Sequence, residues 1–196
     1  MKRFITLFLG LIVFSQLVSA QVGVYQFTGT GSCPNQDAAV TTQPANAVVS
    51  DFTTVNANCV ATTDANVHDQ WNETAAFNST QYHQFSIIPI VGYSLNLTSL
   101  SFTHVVSENG NGSGTGNTRW VLRSSLDNYA SDIATGDAHD AVQTPVVALP
   151  AGFSATGAVT FRLYITEIKS NTTTWTIDDV TVNGSVIVTP PPADPA

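Results

Sequence analysis

The feature that most constrains this chain is the alternation of apolar and polar residues with a period of two. In VTFRLYIT, residues 159–166, the valine, phenylalanine, leucine and isoleucine occupy every second position. Because successive side chains of a strand point to opposite faces, this pattern predicts a strand with one buried face. The alternation recurs at 84–87, 93–104 and 119–123, and helix signals are nearly absent after residue 20. These features predict an all-β chain that forms a two-sheet antiparallel β-sandwich, and long strands with long loops favour jelly-roll, galactose-binding-like topology.

Two of the predicted strands change the parity of their apolar positions. Residues 93–97 carry apolar side chains at odd positions and residues 100–104 at even positions. The same change separates residues 175–177 from 180–182, with Asp178-Asp179 between them. A change of parity turns side chains to the opposite face unless an extra residue absorbs it. We therefore expect a bulge or bend near residues 98–99 and a second one at the aspartate pair.

The first twenty residues have the pattern of a secretory signal peptide. Two basic residues precede an apolar run at 4–14, and small residues end the segment at Ala20. The apolar run is too short to span a bilayer as a stable anchor. We expect a protein that is secreted or held at the cell surface without membrane insertion. The predicted organisation is a signal peptide at 1–20, a β-sandwich domain at 21–188 and a Pro-rich linker or tail at 189–196, through which neighbouring modules would be joined.

The charge of the chain argues against nucleic acid as a partner. Without residues 1–20 the chain keeps four basic and fourteen acidic residues, a net charge of −10. Binding to nucleic acid without sequence preference needs a basic surface that neutralises phosphates.

The two cysteines, Cys33 and Cys59, are expected to form a disulfide. In an exported protein a pair of cysteines is more often a disulfide than a metal site or a nucleophile. The alternative is two unpaired thiols.

Five segments carry a resemblance to a known family: YQFTG, GYSLNLTSLSF, RWVLRSSLDNYASDIATG, LPAGFSATGAVTFRLYITE and TWTIDDVTVNG. In this order, over about residues 25–184, they resemble a jelly-roll accessory domain of large secreted or surface proteins of Gram-negative bacteria. That family is distantly similar to carbohydrate-binding modules, whose last strand often ends in a similar Ile-Asp-Asp-Val pattern. The resemblance implies a non-catalytic domain and does not supply a ligand.

The resemblance also implies a structural calcium ion. In carbohydrate-binding jelly rolls the aspartate analogous to Asp178 or Asp179 often joins a calcium ion with ligands near the N-terminus. Here the remaining oxygens would come from the region of Asp37. The alternative is a carboxylate that accepts hydrogen bonds from backbone amides at the bulge, and both interpretations stay open.

A sugar-binding surface is predicted on one sheet. If the apolar residues of 159–166 face the core, Arg162 and Tyr164 face outward, and Arg123 could lie beside them. Trp71 lies in a polar segment and is a further candidate for this surface if it is exposed. Because scattered surface aromatics are normal, the favoured interpretation is that Tyr164 only covers sheet surface and that Trp71 packs under its loop.

No catalytic residues are predicted. The four histidines are scattered, match no zinc motif and are expected on the surface or in loops. The acidic run at 125–140 is interpreted as the rim of the sandwich. The sequence therefore predicts a secreted, non-catalytic module that binds polysaccharide or another cell-surface polymer. The second hypothesis is a structural spacer or adhesin domain without a small ligand, and an extracellular hydrolase has the least support.

Overall fold

The structure is a computed structural model that describes residues 20–28, 39–73, 77–107 and 118–189. Over these ranges the chain forms strands and a 3₁₀ turn at Ser125–Asp127. The strands are β1 (Ala20–Tyr25), β2 (Ala47–Val49), β3 (Thr53–Val55), β4 (Asn58–Cys59), β5 (Asn66–Asp69), β6 (Tyr82–Pro89), β7 (Tyr93–Val106), β8 (Arg119–Ser124), β9 (Ala134–Asp137), β10 (Val146–Ala148), β11 (Ser154–Ala155), β12 (Val159–Thr166) and β13 (Trp175–Val188).

The strands form two antiparallel sheets. Sheet I has the order β10-β7-β13-β5-β4, with β1 also on β13 and β11 also on β7. Sheet II has the order β2-β6-β12-β8-β9, with β3 also on β6. From β5 to β8, and again from β11 to β13, consecutive strands lie in opposite sheets, as they do in jelly rolls. The predicted all-β sandwich of jelly-roll type is confirmed.

Strand β13 is the centre of sheet I. Along one side it pairs with β7 over almost its whole length. Along the other side it pairs first with β5, through residues 175–177, and then with β1, through residues 180–184. The strand therefore changes partner where the two adjacent aspartates lie.

Both predicted bulges lie in the β7–β13 pair. The register shifts between Asp178 and Thr181, and again where Asn183 pairs with Ser99 but Gly184 pairs with Leu97. Burial changes parity at the same two places. The sequence prediction of two irregularities is confirmed, and the structure adds that they belong to one pair of strands.

The core between the sheets contains many aromatic rings and three histidine rings. The ring of His83 lies 4.8 Å from that of Trp175 and 5.2 Å from that of Trp71, centre to centre. His68 and His104 are also buried. The expectation of surface histidines was therefore wrong for these three, because their strands turn them toward the core.

Several sequence predictions fall outside the described residues. They are the signal peptide up to residue 19, the tail from residue 190, Cys33 and Asp37. These stay predictions, and so does the disulfide, although Cys59 is placed, half-buried, in β4. In the part of the chain that is described, no helix has the length and apolarity needed to cross a membrane.

Candidate functional site

Two arginines lie opposite each other on the outer surface of sheet II. The register of β12 and β8 pairs Arg162 with Arg123, and the register of β12 and β6 pairs Arg162 with Gln84. Since alternate residues of a strand share a face, all three side chains point away from the core. Like charges directly opposite each other are destabilising, so this pair needs compensation from its surroundings.

Arg162 packs against two tyrosine rings. Its Cζ atom lies 4.1 Å from the ring centre of Tyr82 and 3.8 Å from that of Tyr129. The negative faces of both rings attract the guanidinium and fix its position. Tyr129 reaches this place because Asn128 and Tyr129 both adopt positive φ, 57° and 59°, after the 3₁₀ turn. The turn thereby directs the Tyr129 ring to Arg162 on the sheet.

Arg123 is held differently, by a carboxylate and a backbone carbonyl. Its Nε donates to Oδ1 of Asp132 at 2.6 Å, and its Nη1 donates to the carbonyl oxygen of Tyr129 at 2.9 Å. Its Cζ also lies 3.8 Å from the ring centre of Phe77. Arg123 is therefore a neutralised and well-fixed support for the loop that carries Tyr129.

Tyr164 forms the base of this surface. Its ring centre lies 4.8 Å from that of Phe77 and 5.4 Å from that of Tyr82, and only 1% of the residue is exposed. Burial raises the pKa of its hydroxyl, and hydrogen bonding to Arg162 partly opposes that rise. The predicted outward direction holds, and the ring covers sheet surface beneath Phe77 and Tyr82, which is the interpretation favoured from the sequence.

We call this surface the Arg–Tyr face. It consists of Phe77, Tyr82, Arg123, Tyr129, Arg162 and Tyr164. Three of the four predicted ligand-binding residues, Arg123, Arg162 and Tyr164, lie together here. Tyr82 was missed although it has the outward parity of its strand, so the sequence contained that signal. Tyr129 follows a turn whose φ angles the sequence does not specify.

Trp71 does not belong to the Arg–Tyr face. It is 1% exposed, and its ring lies 5.6 Å from that of Trp175 in the core. Its Nε1–H donates to the carbonyl oxygen of His68 at 2.9 Å. Trp71 is therefore packed inside, as the favoured interpretation of the sequence has it, and not exposed for a ligand, because its large apolar ring gains from burial once its single donor has a partner.

An amide-lined cleft of about 590 Å³ lies beside Trp71 at one end of the sandwich. The side chain of Gln81 connects its walls, since Nε2 donates to the carbonyl oxygens of Asn56 and Gln70 and Oε1 accepts from Asn72. These groups are already hydrogen-bonded within the chain. The cleft therefore offers a ligand fewer polar partners than its composition suggests.

The aspartate pair lies at the break between β5 and β1. Oδ1 of Asp178 accepts a hydrogen bond from the backbone N–H of Asp179 at 2.8 Å, and Asp179 has a φ of 48°. This is the backbone-capping arrangement weighed in the sequence analysis. Over the described ranges no group of three His, Cys, Asp or Glu side chains could hold a metal ion. A calcium site at Asp178 and Asp179 thus depends on Asp37, which lies outside the described residues.

Neither a model of a known protein family nor a curated protein sequence matches this chain. The solved structures that are similar to it include carbohydrate-binding modules. A family 29 module has 10% identity and a TM-score of 0.45, over 84% of this chain and 88% of that one. Another family 29 module, complexed with mannohexaose, has 10% identity and a TM-score of 0.44 over 84% and 92%. A family 4 module has 12% identity and a TM-score of 0.46 over 69% and 87%. At these values the likeness assigns no role to any residue here.

Proposed function

We propose that this chain is an exported, non-catalytic module that binds polysaccharide through the Arg–Tyr face. The observation that carries the proposal is that Arg162 packs against the rings of Tyr82 and Tyr129 and hydrogen-bonds the buried Tyr164. Tyr82 and Tyr129 are both half-buried, so each keeps part of its ring surface and its hydroxyl for a ligand. A sugar ring offers a C–H face for stacking and hydroxyls for hydrogen bonding, which matches the two ends of a tyrosine side chain.

The rigidity of the Arg–Tyr face supports the same proposal. Tyr129 is anchored through its carbonyl oxygen to Arg123, and Tyr82 packs on Tyr164. Side chains that are already ordered lose little conformational entropy when a ligand binds. An open sheet surface also leaves room for a long polymer to extend beyond the contact in both directions.

The absence of catalysis is part of the proposal and is supported by the state of the histidines. Burial lowers the pKa of His68 and of His104 to about 4, and it also lowers the pKa of His83 well below its usual value, an effect to which the charge of His68 adds. These imidazoles are neutral at pH 7 and lie among core rings, where they cannot reach a substrate.

The test is retention on a panel of soluble and insoluble polysaccharides. We expect Tyr129→Ala to weaken binding to the retained polymer about tenfold or more, the scale set by one lost aromatic contact. Tyr93→Ala is the matched control, because Tyr93 is a half-buried tyrosine at the start of β7 in the other sheet. Melting temperatures of both variants show that the fold is kept.

Equal weakening by the two substitutions, or no weakening by either, would remove the Arg–Tyr face as the site. Retention on no polymer favours the structural spacer or adhesin hypothesis. New reducing ends in the incubated polysaccharide would contradict the non-catalytic part of the proposal.

A further inference from the structure

We infer that the polysaccharide is anionic and that Arg162 binds its carboxylate or sulfate groups, an inference that rests on the proposed function. The juxtaposition behind it is the half-buried Arg162, which has aromatic neighbours but no carboxylate partner among the residues that the structure describes. The other two described arginines of sheet II each have one: Arg119 pairs with Asp137 at 3.8 Å and Arg123 with Asp132 at 2.6 Å.

The partners of Arg162 leave much of its hydrogen-bonding capacity free. Within the described residues its Nε donates to Oε1 of Gln84 at the long distance of 3.4 Å, and it hydrogen-bonds the hydroxyl of Tyr164. A guanidinium has five N–H donors in a planar fork. The remaining donors are therefore available to an acceptor from outside the chain.

The two tyrosine rings determine from which direction that acceptor approaches. The Cζ atom lies over the ring faces of both Tyr82 and Tyr129, at about 4 Å from each ring centre, so an acceptor cannot approach through either ring. The N–H groups lie in the plane of the guanidinium, and those not bonded to Gln84 or Tyr164 remain for the acceptor. Such N–H groups bind carboxylate and sulfate oxygens through two parallel hydrogen bonds.

The charge around Arg162 agrees with an anionic ligand despite the acidic chain. Arg123 lies directly opposite Arg162, and its own positive charge is only balanced by Asp132. At physiological ionic strength charges more than about 8 Å apart are largely screened, so carboxylates farther away than this weaken the attraction of an anion to Arg162 little. A ligand anion would supply the charge compensation that no described carboxylate gives Arg162.

The experiment compares polymers that differ only in charge. The pairs are polygalacturonate with its methyl ester, and dextran sulfate with dextran, titrated at 0.15 M salt. We expect the wild type to bind a charged member at least tenfold more tightly than its neutral partner, and the pair that shows the difference identifies carboxylate or sulfate. Arg162→Gln should remove that difference and keep the melting temperature.

Arg119→Gln is the matched control. It removes the same charge from the same sheet surface, four residue pairs along the ladder, about 13 Å away by strand geometry. We expect it to keep the preference for the charged polymer. Equal loss in both variants would mean a non-specific charge effect and would overturn the inference.

The two proposals fail in distinguishable ways. Binding to neutral polymers with no preference for charged ones overturns the inference and leaves the proposed function in place. Binding to none of the four polymers and to none of the panel overturns both.

Discussion

The side chain of Asp178 lies where its negative charge destabilises the folded state. It is half-buried in β13, and burial raises its pKa above the usual value. The negative charges of Asp179 and Asp64 raise that pKa further, while the hydrogen bond from the Asp179 backbone lowers it. A carboxyl group whose pKa is higher in the folded state destabilises the fold once it ionises. This destabilisation disappears as the pH falls through the folded pKa toward the pKa that the group has in the unfolded chain.

Asp178→Asn should therefore raise the melting temperature at pH 7 in the presence of EDTA. The amide oxygen of asparagine still accepts the hydrogen bond from Asp179, so only the charge is lost. Asp140→Asn, at an exposed position outside the strands, removes the same charge and should change little. Thermal unfolding followed by circular dichroism provides the comparison. A melting temperature of Asp178→Asn below that of the wild type in EDTA would contradict the expected cost of the charge.

The calcium proposal makes a separate prediction for the same residue. If Asp178 joins a calcium ion with oxygens of the Asp37 region, excess calcium raises the melting temperature of the wild type but not that of Asp178→Asn. Ligand binding to the folded state alone produces such a shift. Identical melting of the wild type in EDTA and in calcium would dismiss the proposal.

At the scale of elements, β7 and β13 form the longest strand pair of sheet I, and their backbones approach each other closely at Gly184. A Cβ atom built on Gly184 would collide with the carbonyl oxygen of Asn96 and would lie 2.8 Å from Cα of Leu97. This is the second bulge, where the backbone of β7 comes close to that of β13. Only glycine leaves room for that approach.

Gly184→Ala should destabilise the protein by about 1–3 kcal/mol, the usual cost of overpacking a buried position. Gly157→Ala is the control, since a Cβ there would meet no atom within 4 Å. Its stability should stay within about 1 kcal/mol of the wild type. Urea unfolding measures both. Equal stability of the two variants would show that β7 can move away from the added Cβ of residue 184 without loss of stability.

The sequence predicts the strands better than it predicts their partners. Period-two alternation identifies 159–166 as a strand, and the parity changes locate both bulges. Alternation describes one strand at a time, however, and does not show which strands pair. That β13 contacts β1, β5 and β7 follows from packing between distant segments.

The candidate site shows the same limit. Arg162 and Arg123 can be assigned to one face from their parity alone. The covering of Tyr164 by Phe77 cannot, because Phe77 comes from a loop whose path depends on tertiary contacts. Burial of Trp71 likewise depends on a donor–acceptor pair with His68 that no local pattern reveals.

At the scale of the whole molecule, three buried and neutral histidines make the stability of the fold depend on pH. Oγ1 of Thr54 lies 2.8 Å from Nδ1 of His83 and 3.5 Å from Nδ1 of His68, between the sheets. His104 packs against Phe102, and neither of its ring nitrogens has a partner in the described part of the chain. Protonation of one of these rings would place a positive charge in the core, away from water, which is energetically unfavourable.

We therefore expect stability to fall as the pH is lowered from about 6.5 toward 4. Burial lowers the pKa of His68 and His104 to about 4, although the charge of Asp69 opposes this for His68 and that of His139 reinforces it for His104. The unfolded chain then takes up protons that the folded chain excludes. When the pH falls from 7 to 5, each of these two histidines should lower the free energy of unfolding by about 2 kcal/mol.

His104→Leu tests this explanation of the pH dependence. The substitution removes a buried ring without hydrogen bonds, so the variant should lose about 2 kcal/mol less than the wild type between pH 7 and pH 5. Urea unfolding at both pH values gives the two differences. The same pH dependence in both proteins would place its origin in other groups.

The pairing of Ala20 with Gly184 has a mechanical consequence. The first and last described strands run antiparallel and side by side, so the start of β1 and the last residues of β13 lie at the same end of this pair. Tension applied between these two points would break the hydrogen bonds of the β1–β13 ladder one after another from that end, and would not shear the two strands past each other. The Arg–Tyr face lies on the outer surface of the opposite sheet, so it takes no part in this pair of strands.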